Sequence, residues 1–596
     1  MSDPRAEYQR RIARWTAAIA AGERTHLLIS NLRLAAAAAA ALLAWLALGR
    51  GLISPGWPIA AAIAFGVLVV AHARVLNRND RAARARRFYE HGVSRIEDRW
   101  AGTGSTGESF LPALHDHLYA ADLDLFGEGS LFQLLSTART EAGEERLAAW
   151  LTAPAALDDL AQRQAAVREL GERLDFREEI AVLAAEARVS KTGALMKWAA
   201  LPPVGFSRPH AWLFAILAAI TALSVAAVFA DYLEATPVVL WLVVQSAVAS
   251  LFRRRVEEVL RRVDAATYDL GLLRELLARI ERERFSTPRL VELEARICTA
   301  GEPPSRLIAR LNRYIAARDS LRNEFVRPFA VLLLVRSQAA VAIDRWHAAH
   351  RATLAEWLQA VGEIEALSSF ATYAFEHPAD PFPELRTGAP LFEAAALAHP
   401  LLPARTAVPN DVALGGGGPH VLVVSGSNMS GKSTLLRAIG INAVLALAGA
   451  PVRAARLSIS PLAIGATIRI GDSLQEGHSR FYTEILRIRD IVARARGDSP
   501  VLFLLDEILH GTNSHDRRIG AEAIVRSLAE AGAIGSITTH DLALTGLTTT
   551  LGAQAANVHF EDRIEDGKMV FDYKMREGVV ERSNAIALMR AVGLDV

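Results

Sequence analysis

The stretch from Val421 to Thr434, VLVVSGSNMSGKST, constrains this chain more than any other. A β-branched apolar run, Val421 to Val424, feeds a loop bounded by Gly426 and Gly431, and Leu435, Leu436 and Ala438 then read as a helix. That is the G-x-x-x-x-G-K-[ST] pattern in the strand–loop–helix setting it requires. The N–H groups of such a loop, with a helix N-terminus behind them, make a cradle for phosphate oxygens. Gly426, Asn428, Met429, Gly431 and Thr434 belong to the expected cradle. Lys432 is placed to reach β- and γ-phosphates, and Ser433 to hold Mg²⁺. The expected cofactors are ATP and Mg²⁺.

The second part of that chemistry is VLFLLDE, Val501 to Glu507, an apolar run ending in two carboxylates. It reads as a buried parallel strand whose C-terminal end faces the loop across the sheet crevice. Asp506 then joins Ser433 on Mg²⁺, and Glu507 orients and polarises the attacking water. Ile537 to Asp541, ITTHD, reads as a further strand with His540 at its tip, a candidate γ-phosphate sensor. Lys432, Glu507 and His540 make the expected catalytic set.

With these residues in place the chain resembles the ATPase domain of the MutS family of DNA mismatch-repair proteins. GSNMSGKST (426–434), with its Asn-Met pair, is similar to that family's P-loop. GHSRFYTE (477–484) is similar to its signature segment, with Ser479, Phe481 and Glu484 in place. LLDEILHGTNS (504–514) resembles its Walker B strand and following loop, and His399-Pro400 and VPND (408–411) also match. ABC transporters share the two phosphate motifs, but their L-S-G-G-Q signature is not in this sequence. More weakly, SLFQLL (130–135), TARTEAG (137–143) and Arg146-Leu147 resemble the start of the family's core, or lever, domain, and GEIEALSSFA (362–371) its end. The resemblance implies an ABC-like, MutS-type α/β P-loop NTPase domain at the C-terminus, preceded by an all-α lever-like domain. It also implies a homodimer closed by ATP, in which Ser479 completes the nucleotide site of the neighbouring subunit in trans. On the residues alone Ser479 also reads as a helix N-cap, since Glu484 and an apolar run follow.

The hydrophobic fraction, 51%, and the mean hydropathy, +0.20, are high for a water-soluble protein. The excess is concentrated in two pairs of runs. Leu34 to Gly49 carries no charge, and after a turn at Ser54-Pro55-Gly56 neither does Trp57 to Ala73, His72 apart. Ala211 to Ala230 and Pro237 to Phe252 repeat the pattern around the acidic loop Asp231 to Glu234. A helix of ~16 residues spans roughly 24 Å, slightly under a hydrocarbon core. Membrane hairpins are the favoured reading; a buried soluble hairpin is the other reading of the first pair. Trp45 and Trp57 sit where interfacial anchors would. Arginines at 74–87 and 253–255 flank the hairpins on their outer sides, which predicts four crossings with both termini inside. The expected location is the inner cell membrane, multi-pass, with the soluble domains in the cytoplasm. The single cysteine, Cys298, excludes an internal disulfide and fits a reducing compartment. A net charge of +1 provides no global field towards nucleic acid.

The predicted division is a basic helix (1–32), a first transmembrane hairpin (33–75), and a basic segment with a Gly/Ser linker at 101–109 (76–117). A helical lever-like body (118–208 and 254–388) follows, split by the second hairpin (209–253), and the ATPase domain occupies 389–596. Within the body one long amphipathic helix is expected from Val256 to near Pro288. Residues 1–117 carry membrane helices where the family has its mismatch-reading and connector domains. Phe88-Tyr89-Glu90 spells the family's Phe-x-Glu tripeptide, but inside an Arg-rich flank. The second hairpin stands near the place of the family's DNA-gripping clamp. Two functions fit. One is a membrane-anchored MutS-like ATPase acting on DNA, and the other an ATP-gated membrane clamp or scaffold for protein or lipid with no DNA role. A transporter is disfavoured, because the hairpins carry no midplane acid or base beyond Gln245. No small-molecule substrate other than ATP is expected.

Overall fold

The computed structural model describes the chain apart from residues 1–2, 55, 186–192, 299–300, 320–323, 325, 428, 470–479, 510, 541, 566–567 and 581–596. Two long helices come first, α1 (Pro4–Ala44) and α2 (Gly56–Ile96). Then follow α3 (Leu131–Leu135), α4 (Glu141–Thr152), α5 (Leu157–Glu172), α6 (Leu174–Ala184), α7 (Ala194–Ala200), α8 (Arg208–Phe229) and α9 (Ala235–Leu251). The helical region continues through α10 (Arg253–Asp264), α11 (Thr267–Ile280), α12 (Pro288–Ile297), α13 (Pro304–Asp319), α14 (Arg327–Leu332) and α15 (Val335–Glu376). Strands enter next: β1 (Glu384–Leu385), β2 (Leu391–Leu397), β3 (Asn410–Gly415), β4 (Val421–Ser425), then α16 (Lys432–Ala448), β5 (Arg456–Ile459) and β6 (Ala463–Thr467). The chain finishes with α17 (Arg480–Ala495), β7 (Val501–Asp506), α18 (Ser514–Glu530), β8 (Ile534–Thr539), α19 (Leu547–Leu551), β9 (Ala555–Glu565) and β10 (Lys568–Glu577). Two compact units result: Met1–Thr137 with Arg146–Leu174 and Ala366–Val596, and Ala138–Glu145 with Asp175–Glu365.

The first unit holds the sheets. A six-stranded sheet has the order β10-β9-β4-β8-β7-β6, parallel throughout except for the edge strand β10. Every residue of β4 is buried, as a strand covered on both faces requires. Val423, Phe503, Leu505, Ile491, Val525 and Ile537 share one core beneath it. A smaller sheet has the order β1-β5-β2-β3, and the chain returns to it for β5 after β4 and α16. The Gly415–Gly418 turn carries the chain from β3 in one sheet to β4 in the other, with φ of 72°, 60° and 112° at its first three glycines.

The same unit contains α1 and α2. The basic helix and the first apolar run, expected as separate segments, form one continuous helix, because the alanine-rich junction offers no breaker. Tyr8 packs on Tyr89 with ring centroids 5.2 Å apart, so the Phe-x-Glu tripeptide sits in a helix with Phe88 and Tyr89 buried. Tyr8 and Arg95 both donate to the buried carboxylate of Glu376, Tyr8 at 3.1 Å and Arg95 at 2.6 and 2.7 Å. The linker expected at 101–109 is folded instead. The Gly127 N–H bonds the Thr106 carbonyl at 2.8 Å, and Gly107, at φ 68°, lies against Phe126 and Phe132. Residues 118–137, expected in the helical body, belong to this unit. The Ala466 N–H reaches the Leu118 carbonyl at 2.8 Å, and Asp122 accepts from Arg487 and from the N–H groups of Ile468 and Arg469, each at 2.7 Å.

The second unit is helical. The single helix expected from Val256 to Pro288 is two. The Ala266 N–H turns back to the Val263 carbonyl at 3.0 Å and the Thr267 hydroxyl bonds the same oxygen at 2.9 Å, separating α10 from α11. Pro288 opens α12 rather than ending a helix, at the position where its missing N–H is not needed. Buried Glu365 accepts from the N–H of Arg139 at 3.0 Å and bonds the Thr140 hydroxyl, and burial lifts its carboxyl to about 7. Asp344 gathers the N–H groups of Val204, Gly205 and Phe206 at 2.7, 3.0 and 2.7 Å just before α8.

Among the described residues, Pro4–Gly49, Gly56–Ile96 and Arg208–Phe229 are long and apolar enough to cross a membrane. The pair α9 and α10, bent by 59°, adds a fourth if it counts as one span.

Candidate nucleotide site

The loop after β4 takes its shape from its glycines. Gly431 stands at φ 106° just before α16, a conformation closed to β-branched residues. A Cβ on Gly426 would lie 3.0 Å from the Phe560 carbonyl and 2.9 Å from the Ser430 hydroxyl. Met429, at φ 68° and 83% exposed, rides on the outside of the turn. Lys432 opens α16 and is buried, its ammonium donating to the carbonyls of Gly426 at 2.9 Å and Ser427 at 2.8 Å. The loop hydroxyls of Ser427 and Ser430 are buried without a hydrogen-bond partner, donors suited to phosphate oxygens.

Strand β7 delivers the two carboxylates from the adjacent side. Glu507 Oε1 lies 3.4 Å from Lys432 Nζ, and Glu507 Oε2 lies 3.5 Å from His540 Nδ1 at the end of β8. Thr538 of β8 organises this corner: its hydroxyl donates to Asp506 and accepts the Glu507 N–H at 3.0 Å. Glu507 and Leu509 both have positive φ, 45° and 61°, which an L side chain tolerates only when surrounding bonds fix it. Thr538 supplies one such bond, and Glu484 of α17 the other, accepting the Leu509 N–H at 2.7 Å. Gly511 lies against Phe481, where a Cβ would come within 2.6 Å of that side chain. Two signature residues, Phe481 and Glu484, therefore shape the loop behind the carboxylates.

A cavity of about 650 Å³ gathers these groups. Met429, Gly431, Lys432, Ser433, Thr434, Asp506 and Glu507, all expected from the sequence, line it. Gly426 contributes through its bond to Lys432, and His540 through Glu507. Asn428 and Ser479 lie outside the described residues. His399, Leu402, Val408, Phe560 and Tyr573 complete the far wall; His399 and Val408 lie in the matching segments 399–400 and 408–411, but none of the five was expected as a site residue. His399 is held neutral down to about pH 4, first by burial and then by the Arg437 charge. Asn410 holds the β10 end of that wall, donating to the Tyr573 carbonyl at 3.0 Å and accepting the Met575 N–H at 2.7 Å. Thr538 falls in the ITTHD segment, but only His540 there was expected at the site, and Tyr573 falls in no motif.

Ser433 and Asp506 offer one hydroxyl and one carboxylate to the same cavity. Among the described residues no group of three or more His, Cys, Asp or Glu side chains is placed to hold a metal. That donor set fits Mg²⁺, which takes one or two protein oxygens and fills its octahedron with phosphate and water.

Residues 422–595 match the family model of MutS domain V. A DNA mismatch repair protein MutS from Geobacillus kaustophilus is 32% identical over 325 residues, 52% of this chain and 32% of that protein. One from Haloquadratum walsbyi is 34% identical over 321 residues, covering 52% and 31%. An endonuclease MutS2 from Thermomicrobium roseum is 36% identical over 202 residues, covering 33% and 24%. The chain thus spans about a third of the length of the curated MutS proteins it matches. The match to domain V over residues 422–595, with similarity to MutS proteins over about half of the chain, supports a MutS-family protein.

Proposed function

We propose that the chain is a membrane-anchored MutS-type ATPase that hydrolyses ATP with Mg²⁺ in this cavity and uses ATP to close a homodimer. The observation that carries the reading is the convergence of Lys432, Ser433, Asp506 and Glu507 on one cavity, with Glu507 3.4 Å from the Lys432 ammonium. Lys432 has the charge and reach to exchange its carbonyl partners for phosphate oxygens. Ser433 and Asp506 would hold Mg²⁺, which when bound neutralises developing charge on the phosphates. Glu507 is the acceptor for the proton of the attacking water, and His540 holds its second oxygen. His399, Leu402, Val408 and Tyr573 offer a wall for the base.

The membrane reading is supported by the exposed apolar sides of the hairpins. Leu34, Leu48, Ile63 and Val67 on α1, its final turn and α2 are each more than three-fifths exposed, as are Leu223, Leu240 and Val243 on α8 and α9. The arginine flanks support a topology of four crossings of the inner membrane with the ATPase domain in the cytoplasm.

The names of the relatives, DNA mismatch repair protein and endonuclease, point to DNA as the partner of the closed dimer. A clamp that grips protein or lipid without DNA is the second reading, favoured by the apolar hairpin α8–α9 near the place of the family's DNA-gripping clamp. Binding to duplex, mismatched and branched DNA across a salt series separates the two. A DNA-binding protein loses affinity steeply as salt rises; absence of binding at low salt selects the second reading.

Dimer closure is tested by mixing a Ser479→Ala chain with a Lys432→Ala chain. If Ser479 acts in trans, each mixed dimer holds one intact site and one doubly damaged site, and turnover partly recovers. If dimers form and mixing restores nothing, each site uses its own serine and the shared-site reading falls.

A further inference from the structure

Between α13 and the long helix α15 lies an apolar octad, Pro328 to Val335 (PFAVLLLV), bracketed by Arg327 and Arg336. It is too short to span a bilayer. Its first part is the single-turn-and-a-half helix α14, and the chain then reverses at Leu334, which has φ 53°, before α15 leads away. Phe329, Val331 and Leu333 are 67%, 57% and 37% exposed. In a water-facing loop such a segment would be an apolar patch without support.

Its backbone is handled differently from that of a water-facing loop. The reversal leaves the carbonyls of Leu332 and Leu333 without helical partners, and each receives a side-chain amide. Gln245 of α9 donates to the Leu332 carbonyl at 2.9 Å, and Gln338 of α15 donates to the Leu333 carbonyl at 2.7 Å. Water would satisfy those oxygens without help; lipid cannot, so non-helical backbone at membrane depth must be satisfied by protein. Gln245 is itself 3% exposed and bonded to the Thr221 hydroxyl of α8, which also accepts from Trp241 at 3.0 Å. The one amide side chain in the second hairpin is thereby spent on holding this reversal. Its position sets a depth: Gln245 precedes Arg253 by two helical turns, about 12 Å along α9.

We propose that residues 327–336 form a re-entrant membrane element that dips into lipid hydrocarbon beside α9 and returns to the same face, with Arg327 and Arg336 at the headgroup level. The proposal rests on the reading that α8 and α9 cross the bilayer. A six-residue helix rises about 9 Å, which matches the depth to which interfacial elements bury an apolar face. The occupant of the exposed face of Phe329 and Val331 is acyl chain, continuous with the lipid that covers Leu240 and Val243 on α9.

The test uses the full chain with Cys298→Ser, reconstituted into phosphatidylcholine–phosphatidylglycerol vesicles and carrying a nitroxide at one introduced cysteine. Phe329→Cys and Val331→Cys report on the octad, Leu223→Cys and Val243→Cys on the hairpin, and Tyr268→Cys on a water-exposed helix. Relaxation by oxygen, which concentrates in lipid, is compared with relaxation by a water-soluble nickel chelate. The proposal expects positions 329 and 331 to share the high-oxygen, low-nickel signature of 223 and 243, with 268 the reverse. A lipid signature at 223 and 243 with nickel access at 329 and 331 overturns the re-entrant element and leaves the hairpin intact. Shielding of 329 and 331 from both reagents overturns it too, in favour of a second protein chain. Nickel access at 223 and 243 overturns the membrane reading itself. Adding Gln245→Leu should raise nickel access at 331 severalfold while 223 stays in lipid; no change at 331 removes Gln245 as the anchor.

Discussion

Val423 in β4 and Leu223 in α8 are both aliphatic residues in charge-free runs, yet Val423 is 0% exposed and Leu223 is 71% exposed. The first lies in a sheet that covers its own apolar residues; the second lies in a helix that presents them outward. The same residue chemistry therefore stands in two environments, one inside the protein and one on its surface. In the sheet, burial removes apolar surface from water and stabilises by about 25 cal/mol per Å². In the hairpins, that surface is left exposed by the protein itself. The sheet needs only the protein to be complete, whereas under the membrane reading proposed above the hairpins need a bilayer.

Charges introduced into each region are the strongest way to break the comparison. Val423→Asp should unfold the sheet, because an unpaired buried carboxylate exceeds the few-kcal/mol range of ordinary substitutions. Loss of the cooperative thermal transition checks it. Leu223→Asp should cost about 2.5–3.5 kcal/mol if α8 sits in lipid, read as a smaller membrane-inserted fraction. If α8 faces water, the same change at so exposed a position would fall within about 0.5 kcal/mol, as Ile519→Asp on α18 should.

The two units should also respond oppositely to pH. Glu365 in the helical unit has its carboxyl raised to about 7 from an ordinary 4.5. The folded form holds that proton more tightly, so its contribution is full below pH 4.5 and is lost as pH rises towards 7. Between pH 5.5 and 7.5 the loss should be about 2 kcal/mol, absent in Glu365→Gln. His399 in the sheet unit is lowered to about 4 from an ordinary 6.5. The unfolded chain takes up the proton first, so stability falls as pH drops below 6.5. From pH 7.5 to 5.5 the loss should be about 1 kcal/mol, absent in His399→Asn. Denaturant titrations at the two pH values, with each single variant, separate the slopes.

A smaller effect sharpens the site. Thr538→Val removes the hydroxyl that donates to Asp506 and accepts the Glu507 N–H. Loss of about 1–2 kcal/mol of positioning should slow turnover roughly tenfold. Equal losses in nucleotide affinity and turnover would make Thr538 a binding group rather than a positioning residue.

The motif-bearing part of the site was legible because phosphate chemistry restricts residue types at fixed spacing. Gly431, Lys432 and Ser433, and Asp506 and Glu507, lie on one cavity for that reason. Tyr573 and the His399 wall were not legible as site residues, because the fold brings them in from elsewhere in the chain; Thr538, beside His540, was not legible because only its contacts to Asp506 and Glu507 give it a role. Apolar runs gave the hairpins, but not that α1 continues unbroken from the basic segment, nor that 101–109 is folded against Phe126 and Phe132. Helix periodicity ran across the α10–α11 break because Ala265 and Ala266 carry no breaking signal; the reversal is made by hydrogen bonds to Val263. Gln245 read only as the exception to the lack of a midplane acid or base in the hairpins, and its bonds to Thr221 and to the Leu332 carbonyl of the distant octad give it a role.

The most direct measurement is Mg²⁺-dependent ATP turnover by the full chain in vesicles, wild type against Glu507→Gln. Nucleotide binding should be retained in the variant while turnover falls on the order of hundredfold or more, since the carboxylate acts on the attacking water rather than on the bound nucleotide. Turnover that is unchanged in Glu507→Gln, with ATP still bound at the same affinity, would contradict a hydrolytic site built on this cavity.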